Sequence, residues 1–287
     1  MPAPGTAADP DVRDMGGEVV DLALGLSHTC AGVNGVGVVC WGDTSDNKLG
    51  GGTPSSPGDA VFVNLGRSRE PAQLAAGNDH LCALFLDRDI KCWGANDKGQ
   101  CGSGDTESRA VQGEALIAIV QGSEWLSCGG DRCCAVVDGD LWCWGQVDPA
   151  GAPALRPSKV EIASFKVEQV AVGPSHLCEL AVTGAVHCWG AGSQGQLGTG
   201  AQDDASPSDS VEVEFLAGWS VARITVGVCH TCVVASDGQV FCFGCNTGSR
   251  WVRIDDDINC RCRAWACLPH CPGMRIGSGS GASTVTA

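Results

Sequence analysis

Five copies of one spaced pattern run along this chain, and they constrain its architecture more than any other feature. A glycine is followed five residues later by a cysteine. Nine or ten residues further on comes a second cysteine with an aromatic-glycine pair behind it. The copies are Gly25, Cys30, Cys40-Trp41-Gly42; Gly77, Cys82, Cys92-Trp93-Gly94; Gly129, Cys134, Cys143-Trp144-Gly145; Gly173, Cys178, Cys188-Trp189-Gly190; and Gly227, Cys232, Cys242-Phe243-Gly244. Repetition of this kind means units that cannot bury their apolar faces alone and must stack on neighbours.

Each copy has the same parts. An apolar run leads to the glycine, as in Ile224-Thr225-Val226-Gly227. A strand carries the first cysteine, a turn follows, and a second strand carries Cys-Trp-Gly. A glycine-rich loop comes next, as in Gly195-Gln196-Leu197-Gly198-Thr199-Gly200. Repeat 1 has Asn47 where a glycine stands elsewhere, at a position suited to left-handed backbone. Repeat 3 lacks the loop, and repeat 5 has a shortened form at Cys245-Asn246-Thr247-Gly248. Residues 1–17 read as a flexible arm, 18–250 as the repeat domain, and 251–287 as a cysteine-rich segment with a Gly/Ser-rich tail.

The turns fix the register of the cysteine pairs. Repeat 5 turns at Ser236-Asp237-Gly238, a three-residue connection with glycine third, which sets Cys232 opposite Cys242. Repeat 3 turns at Asp138-Gly139, one residue shorter, and its cysteine spacing is shorter by one as well. Cys134 therefore still faces Cys143. Directly opposite strand residues lie close enough for a disulfide. Cross-strand disulfides are expected for Cys30–Cys40, Cys82–Cys92, Cys134–Cys143, Cys178–Cys188 and Cys232–Cys242. The alternative is that the same pairs are reduced, buried and merely small and apolar.

The sequence has 19 cysteines and a net charge of −15. Such cysteine density favours an oxidising compartment, extracellular or lumenal. The start, Met1-Pro-Ala-Pro-Gly, has no basic and no apolar region of a signal peptide, which points the other way. An acidic surface repels nucleic acid and anionic membranes, so neither is expected as a partner. No apolar stretch reaches the length needed for a membrane span, so no membrane insertion is expected.

The pattern Gly-x-x-His-x-Cys followed by Cys-Trp-Gly-x4-Gly-Gln-Leu-Gly-x-Gly resembles the repeats of the regulator of chromosome condensation family, in a cysteine-paired variant. The resemblance covers about residues 18–250. It implies an all-β fold of four-stranded blades arranged as a β-propeller. The family's usual count is seven blades, whereas five are legible here. A five-bladed propeller, a sixth unit built from residues 246–272 with the N-terminal strand, and an incomplete arc are all open. Ultraviolet-sensing members carry tryptophan just after the repeat glycine. Here those residues are Leu26, Asn78, Gly130, Pro174 and Val228, so light sensing is not expected.

Repeated residues read as structural. His28, His80, His176 and His230 stand two residues before the first cysteine, with Arg132 in that place in repeat 3. Equivalent positions in different blades are spread apart, so each imidazole is expected to cap a turn in its own blade, with no metal bound. Trp41, Trp93, Trp144, Trp189 and Phe243 face away from the cysteines and are expected between blades. Trp125, Trp142, Trp219, Trp251 and Trp265 fall outside that frame and are candidates for surface recognition. Cys101 takes the slot of Leu197 as a buried small residue. The tail cysteines Cys260, Cys262, Cys267 and Cys271, with His270, lack paired zinc-knuckle spacing. They read as disulfide staples or as partners for Cys128, Cys133, Cys229 and Cys245. Asp255-Asp256-Asp257 reads as a solvated turn.

The sequence contains no nucleophile elbow, phosphate loop or zinc-protease helix motif. The expectation is therefore a non-enzymatic scaffold without catalytic residues or cofactors. It would bind protein partners of unassigned identity through loops near 43–70, 95–122 and 191–217. Exchange factor for a small GTPase, secreted enzyme inhibitor, and structural subunit of a larger assembly are the alternatives.

Overall fold

The computed structural model describes residues 17–54, 59–65, 69–110, 121–148, 151–162 and 165–245. The arm before residue 17 lies outside them. So do Trp251, Trp265, the aspartates 255–257 and the cluster from Cys260 to Cys271. The described residues form antiparallel meanders, one per repeat, here called blades 1 to 5. Blade 1 holds β1 (Val19–Leu24), β2 (His28–Val33), β3 (Gly37–Gly42) and β4 (Val61–Phe62). Blade 2 holds β5 (Pro71–Ala76), β6 (His80–Phe85) and β7 (Ile90–Gly94). Blade 3 holds β8 (Ser123–Gly129), β9 (Arg132–Val137), β10 (Asp140–Gly145) and β11 (Ala154–Lys159). Blade 4 holds β12 (Val167–Val172), β13 (His176–Ala181), β14 (Val186–Gly190) and β15 (Val211–Glu212). Blade 5 holds β16 (Val221–Val226), β17 (His230–Ala235) and β18 (Val240–Gly244). Strands within a blade pair in chain order, and among the described residues no strand of one blade joins the sheet of another.

The chain divides after Lys159 into two compact units. In the first, Cys30, Val38, Cys40 and Leu49 of blade 1 share a buried cluster with Leu81, Ala83, Phe85 and Trp93 of blade 2. Cys82, Leu84, Cys92 and Cys101 of blade 2 do the same with Leu126, Cys133, Ala135 and Trp144 of blade 3. In the second unit, Cys178, Cys188 and Leu197 of blade 4 pack with Ile224, Val233 and Phe243 of blade 5. Every such junction sets the cysteine face of one blade against the aromatic face of the next. Strand alternation places the two residue types on opposite faces, so one pattern serves both sides of each blade.

Turn chemistry holds the register. Asp138 and Gly139 both have positive φ, as a tight two-residue hairpin needs, and Cys134 lies opposite Cys143. Gly238 (φ +87°) closes the longer turn of blade 5, and Cys232 lies opposite Cys242. Asn47 has φ +60°, matching Gly99 and Gly195 in the equivalent loops. Disulfides join Cys30–Cys40, Cys82–Cys92, Cys134–Cys143, Cys178–Cys188 and Cys232–Cys242. Cys128 bonds to Cys133 and Cys229 to Cys245, so these four pair with one another instead of with the tail. For the first pair the reason is local. The hairpin at Gly130-Asp131 sets Cys128 directly opposite Cys133.

The first strand of each blade carries a bulge, and in blades 1, 2 and 4 a side chain beside it reaches the next blade. Asp21 accepts from Leu74 N (2.7 Å) and Gln73 from Leu126 N (3.0 Å) in the first unit. Gln169 donates to Ala222 O (2.9 Å) in the second. These links satisfy edge-strand backbone groups that would otherwise be unpaired.

In repeats 1, 2 and 5 the glycine is required by its histidine. A Cβ on Gly25, Gly77 or Gly227 would run into the imidazole three residues on. At Gly77 it would also lie 2.5 Å from Gly130 O. Gly77→Ala should therefore destabilise the protein by about 2 kcal/mol. Gly35→Ala, where φ is +72° but nothing stands within 4 Å of the new Cβ, should cost only about 1 kcal/mol. Urea unfolding of the two variants makes the comparison, and equal losses would refute the packing account.

Candidate interaction surface

The Gly-x-x-His turns build one end of each blade. In the first unit they are tied in a row by backbone hydrogen bonds. Leu26 N donates to Asn78 O (2.9 Å), and Asn78 N donates to Gly130 O (2.8 Å). In the second unit Ser175 Oγ donates to Val228 O (2.8 Å). Within each unit the cross-blade bonds order neighbouring turns into a rim. Leu26 stands 74% exposed on it, beside Leu24 at 56%.

The rim of the first unit is acidic. Asp79 follows Asn78, Asp131 follows Gly130, and Asp97 comes from the loop after β7. The Asp131 carboxyl is raised above its ordinary range by burial and by the negative charges of Asp97 and Asp79. Lys48 is the buried counter-charge. Its Nζ lies 2.7 Å from both Asp43 of its own blade and Asp79 of the next. Asp43 is held well below the usual carboxylate range, chiefly by the hydrogen bond from Lys48. Asp97 is lowered by the Gln100 amide.

Behind the rim lies a set of blade-to-blade latches. Trp93 Nε1 donates to Lys48 O (3.1 Å), and Trp144 Nε1 to Gln100 O (2.8 Å). Blade 5 has Phe243 in that place, and Thr231 Oγ1 donates to Gln196 O instead (2.9 Å). The accepting residues Lys48, Gln100 and Gln196 occupy the same slot of the glycine-rich loop. Trp189 takes a different partner, Glu179 Oε1 of its own blade (2.7 Å). The repeat before it in sequence is the one without a glycine-rich loop.

His80 and His176 act across blades, which differs from the turn-capping role expected for them. His176 Nε2 lies 2.8 Å from Thr231 Oγ1, and His80 Nε2 lies 3.1 Å from Cys133 Sγ. Packing over Gly77 aims the His80 ring at blade 3. In the blade 1–2 junction the receiving slot holds Leu81, and neither nitrogen of His28 has a hydrogen-bond partner among the described residues. Burial lowers the His28 pKa, and it lowers that of His80 to about 3. Arg132, in the histidine place of blade 3, is buried and donates to Val147 O (2.9 Å).

Trp93, Trp144, Trp189 and Phe243 are buried, while Trp41 is partly so. Trp125, Trp142 and Trp219 are each partly buried, and Trp219 packs edge-on against Phe241. Cys101 is buried and unbonded, with its thiol pushed up to about 12 by burial. Sequence reasoning missed Glu179, Lys48 and the acidic rim. One signal existed for Glu179, since that column otherwise holds Ala31, Ala83, Ala135 and Val233.

Meanders stacked cysteine face to aromatic face, with a loop carbonyl receiving the next blade's tryptophan, define a propeller-type repeat protein. The family model described as the regulator of chromosome condensation (RCC1) repeat matches residues 72–100, 221–248 and 183–234. The chain carries repeats of this family. It is 29% identical over 241 residues to the ultraviolet-B receptor UVR8 of Arabidopsis thaliana, covering 80% of this chain and 54% of the receptor. It thus spans about half the length of that relative. Among solved structures it resembles human WBSCR16 (TM-score 0.69, 23% identity), with 83% of this chain and 64% of the other covered. It also resembles yeast RCC1 (Prp20), solved bound to Kap60 (TM-score 0.65, 18% identity), with 83% and 58% covered. At these identities the solved structures speak to the fold.

Proposed function

We propose that this chain is a protein-binding module whose acidic rim docks a basic surface of a partner protein. The observation that carries the reading is the convergence of Asp79, Asp97 and Asp131, from two blades, beside exposed Leu24 and Leu26. Like charges held together cost free energy in the unbound protein, and a cationic partner relieves that cost. An apolar patch next to the charge supplies the desolvated contact that fixes affinity. The yeast structure supports the class of role, since a protein of this fold, RCC1 (Prp20), was solved bound to another protein, Kap60. In this reading the module carries out no reaction, and the loops near 43–70, 95–122 and 191–217 extend the contact. The finer reading as exchange factor for a small GTPase is tested by nucleotide release.

Affinity capture with the full chain tests the proposal. Asp79→Lys/Asp97→Lys/Asp131→Lys should release the captured partners, and raised salt should weaken capture of the wild type. Capture unchanged by both charge reversal and salt would overturn the docking face.

A further inference from the structure

Blade 3 brings two cysteines outside the repeated pairs to the histidine of blade 2. In the other blades the Cys133 slot holds Thr29, Leu81, Leu177 and Thr231, and the Cys128 slot holds Leu24, Ala76, Val172 and Val226. No other repeat has cysteine in either place. A ring nitrogen of His80 and the sulfurs of Cys128 and Cys133 all lie within 4.8 Å of one another, and it is Nε2 that stands 3.1 Å from Cys133 Sγ. Cys82 Sγ stands 3.5 Å from Cys133 Sγ on a further side. His80 is fully buried, and its Nδ1 has no partner among the described residues.

We propose that the reduced protein binds one zinc ion between blades 2 and 3, held by His80 Nε2 and the thiolates of Cys128 and Cys133. Zinc takes sulfur at about 2.3 Å and imidazole nitrogen at about 2.0–2.1 Å, so tetrahedral ligand atoms sit about 3.5–3.8 Å apart. The separations of 3.1 Å from His80 to Cys133 and 3.5 Å from Cys82 to Cys133 need shifts of a few tenths of an ångström, while the sulfurs of Cys128 and Cys133, joined in the oxidised protein, part to about 3.8 Å by side-chain rotation once their bond is reduced. Two thiolates cancel the charge of the ion, which makes a buried site tolerable. Cys82, once its bond to Cys92 is open, is the nearest group for the fourth position. Cys128 is only partly buried and gives the ion an entry side.

The chemistry balances. A dithiol reductant delivers two electrons and two protons to the Cys128–Cys133 disulfide and becomes a disulfide itself. Zinc then displaces both thiol protons to solvent and forms two Zn–S bonds. A small-molecule disulfide reverses this: it accepts the two electrons, and two protons from solvent, to become a dithiol, the Cys128–Cys133 bond re-forms, and the ion leaves to solvent. The corner is therefore closed by a covalent bond in an oxidising compartment and by a metal in a reducing one.

The test compares reduced wild type with Cys133→Thr, the residue blade 5 uses at Thr231. Zinc is counted by mass spectrometry after desalting, and cobalt substitution is read by its thiolate charge-transfer band. The variant should hold one zinc fewer per chain and lose the corresponding cobalt-thiolate absorbance. Any zinc at Cys229, His230 and Cys245 cancels in the difference. Equal zinc and equal cobalt absorbance in a folded variant would overturn the proposal. Should the variant fail to fold, the alkylation rate of Cys128 in reduced wild type decides. Zinc should slow it roughly tenfold, and an unchanged rate would overturn the site.

Discussion

Glu179→Gln is expected to stabilise the protein by about 2 kcal/mol more at pH 8 than at pH 5. Glu179 is fully buried in β13, in a column of alanine and valine, with a single hydrogen bond from Trp189. Its Oε2 has no hydrogen-bond partner among the described residues. Burial therefore raises its pKa from 4.5 to about 7, and the Trp189 N–H only partly opposes this. In the unfolded chain the carboxyl ionises near its ordinary value. Between these two pKa values the unfolded state has lost a proton that the folded state keeps. Stability falls as pH rises through that window, and the loss levels off above the folded pKa at about 3 kcal/mol. Glutamine cannot ionise, and it still accepts from Trp189. Its amide N–H is a buried donor at every pH, so the cost of that donor drops out of the comparison between pH values. Urea unfolding at pH 5, 6 and 8 provides the measurement. A difference that stays constant with pH would mean that Glu179 is solvated or paired in solution.

The same residue shows what the sequence made legible. The repeat gave the blades because glycine, cysteine and Trp-Gly recur at spacings set by the hairpin turns. Asp138-Gly139 and Ser236-Asp237-Gly238 fixed the register because turn length and cysteine spacing change together. Those are local relations, carried within about fifteen residues of chain. What was not legible lies between blades, some 52 residues apart. The histidines were expected to cap turns in their own blades, yet His80 and His176 meet Cys133 and Thr231 of the next. The tail cysteines were one expected partner for Cys128, but a turn at Gly130-Asp131 sets Cys133 across from it. The acidic rim is built from aspartates that look like ordinary solvated turn residues in one dimension. They become a group only when the hydrogen bonds of Leu26 and Asn78 line the turns up.

Truncation of a latch is the second large effect. Trp144→Ala should cost about 3–5 kcal/mol, because the buried indole fills the junction between blades 2 and 3. Trp144→Phe separates packing from hydrogen bonding. The phenyl ring keeps most of the apolar contact, as Phe243 does in blade 5, but Gln100 O loses its donor. That loss should be about 1–2 kcal/mol. Blade 5 also shows the compensation, since Thr231 Oγ1 supplies the hydrogen bond to Gln196 O that Phe243 cannot make. Trp144→Phe combined with Cys133→Thr rebuilds that arrangement in blade 3. In reduced, metal-free protein, where neither the Cys128 bond nor a bound ion enters, the double variant should recover about 1 kcal/mol relative to the sum of the singles. A double-mutant cycle from urea unfolding reads this directly. Strict additivity would show that the two latches, though alike in place, are not alternative solutions to one unsatisfied carbonyl.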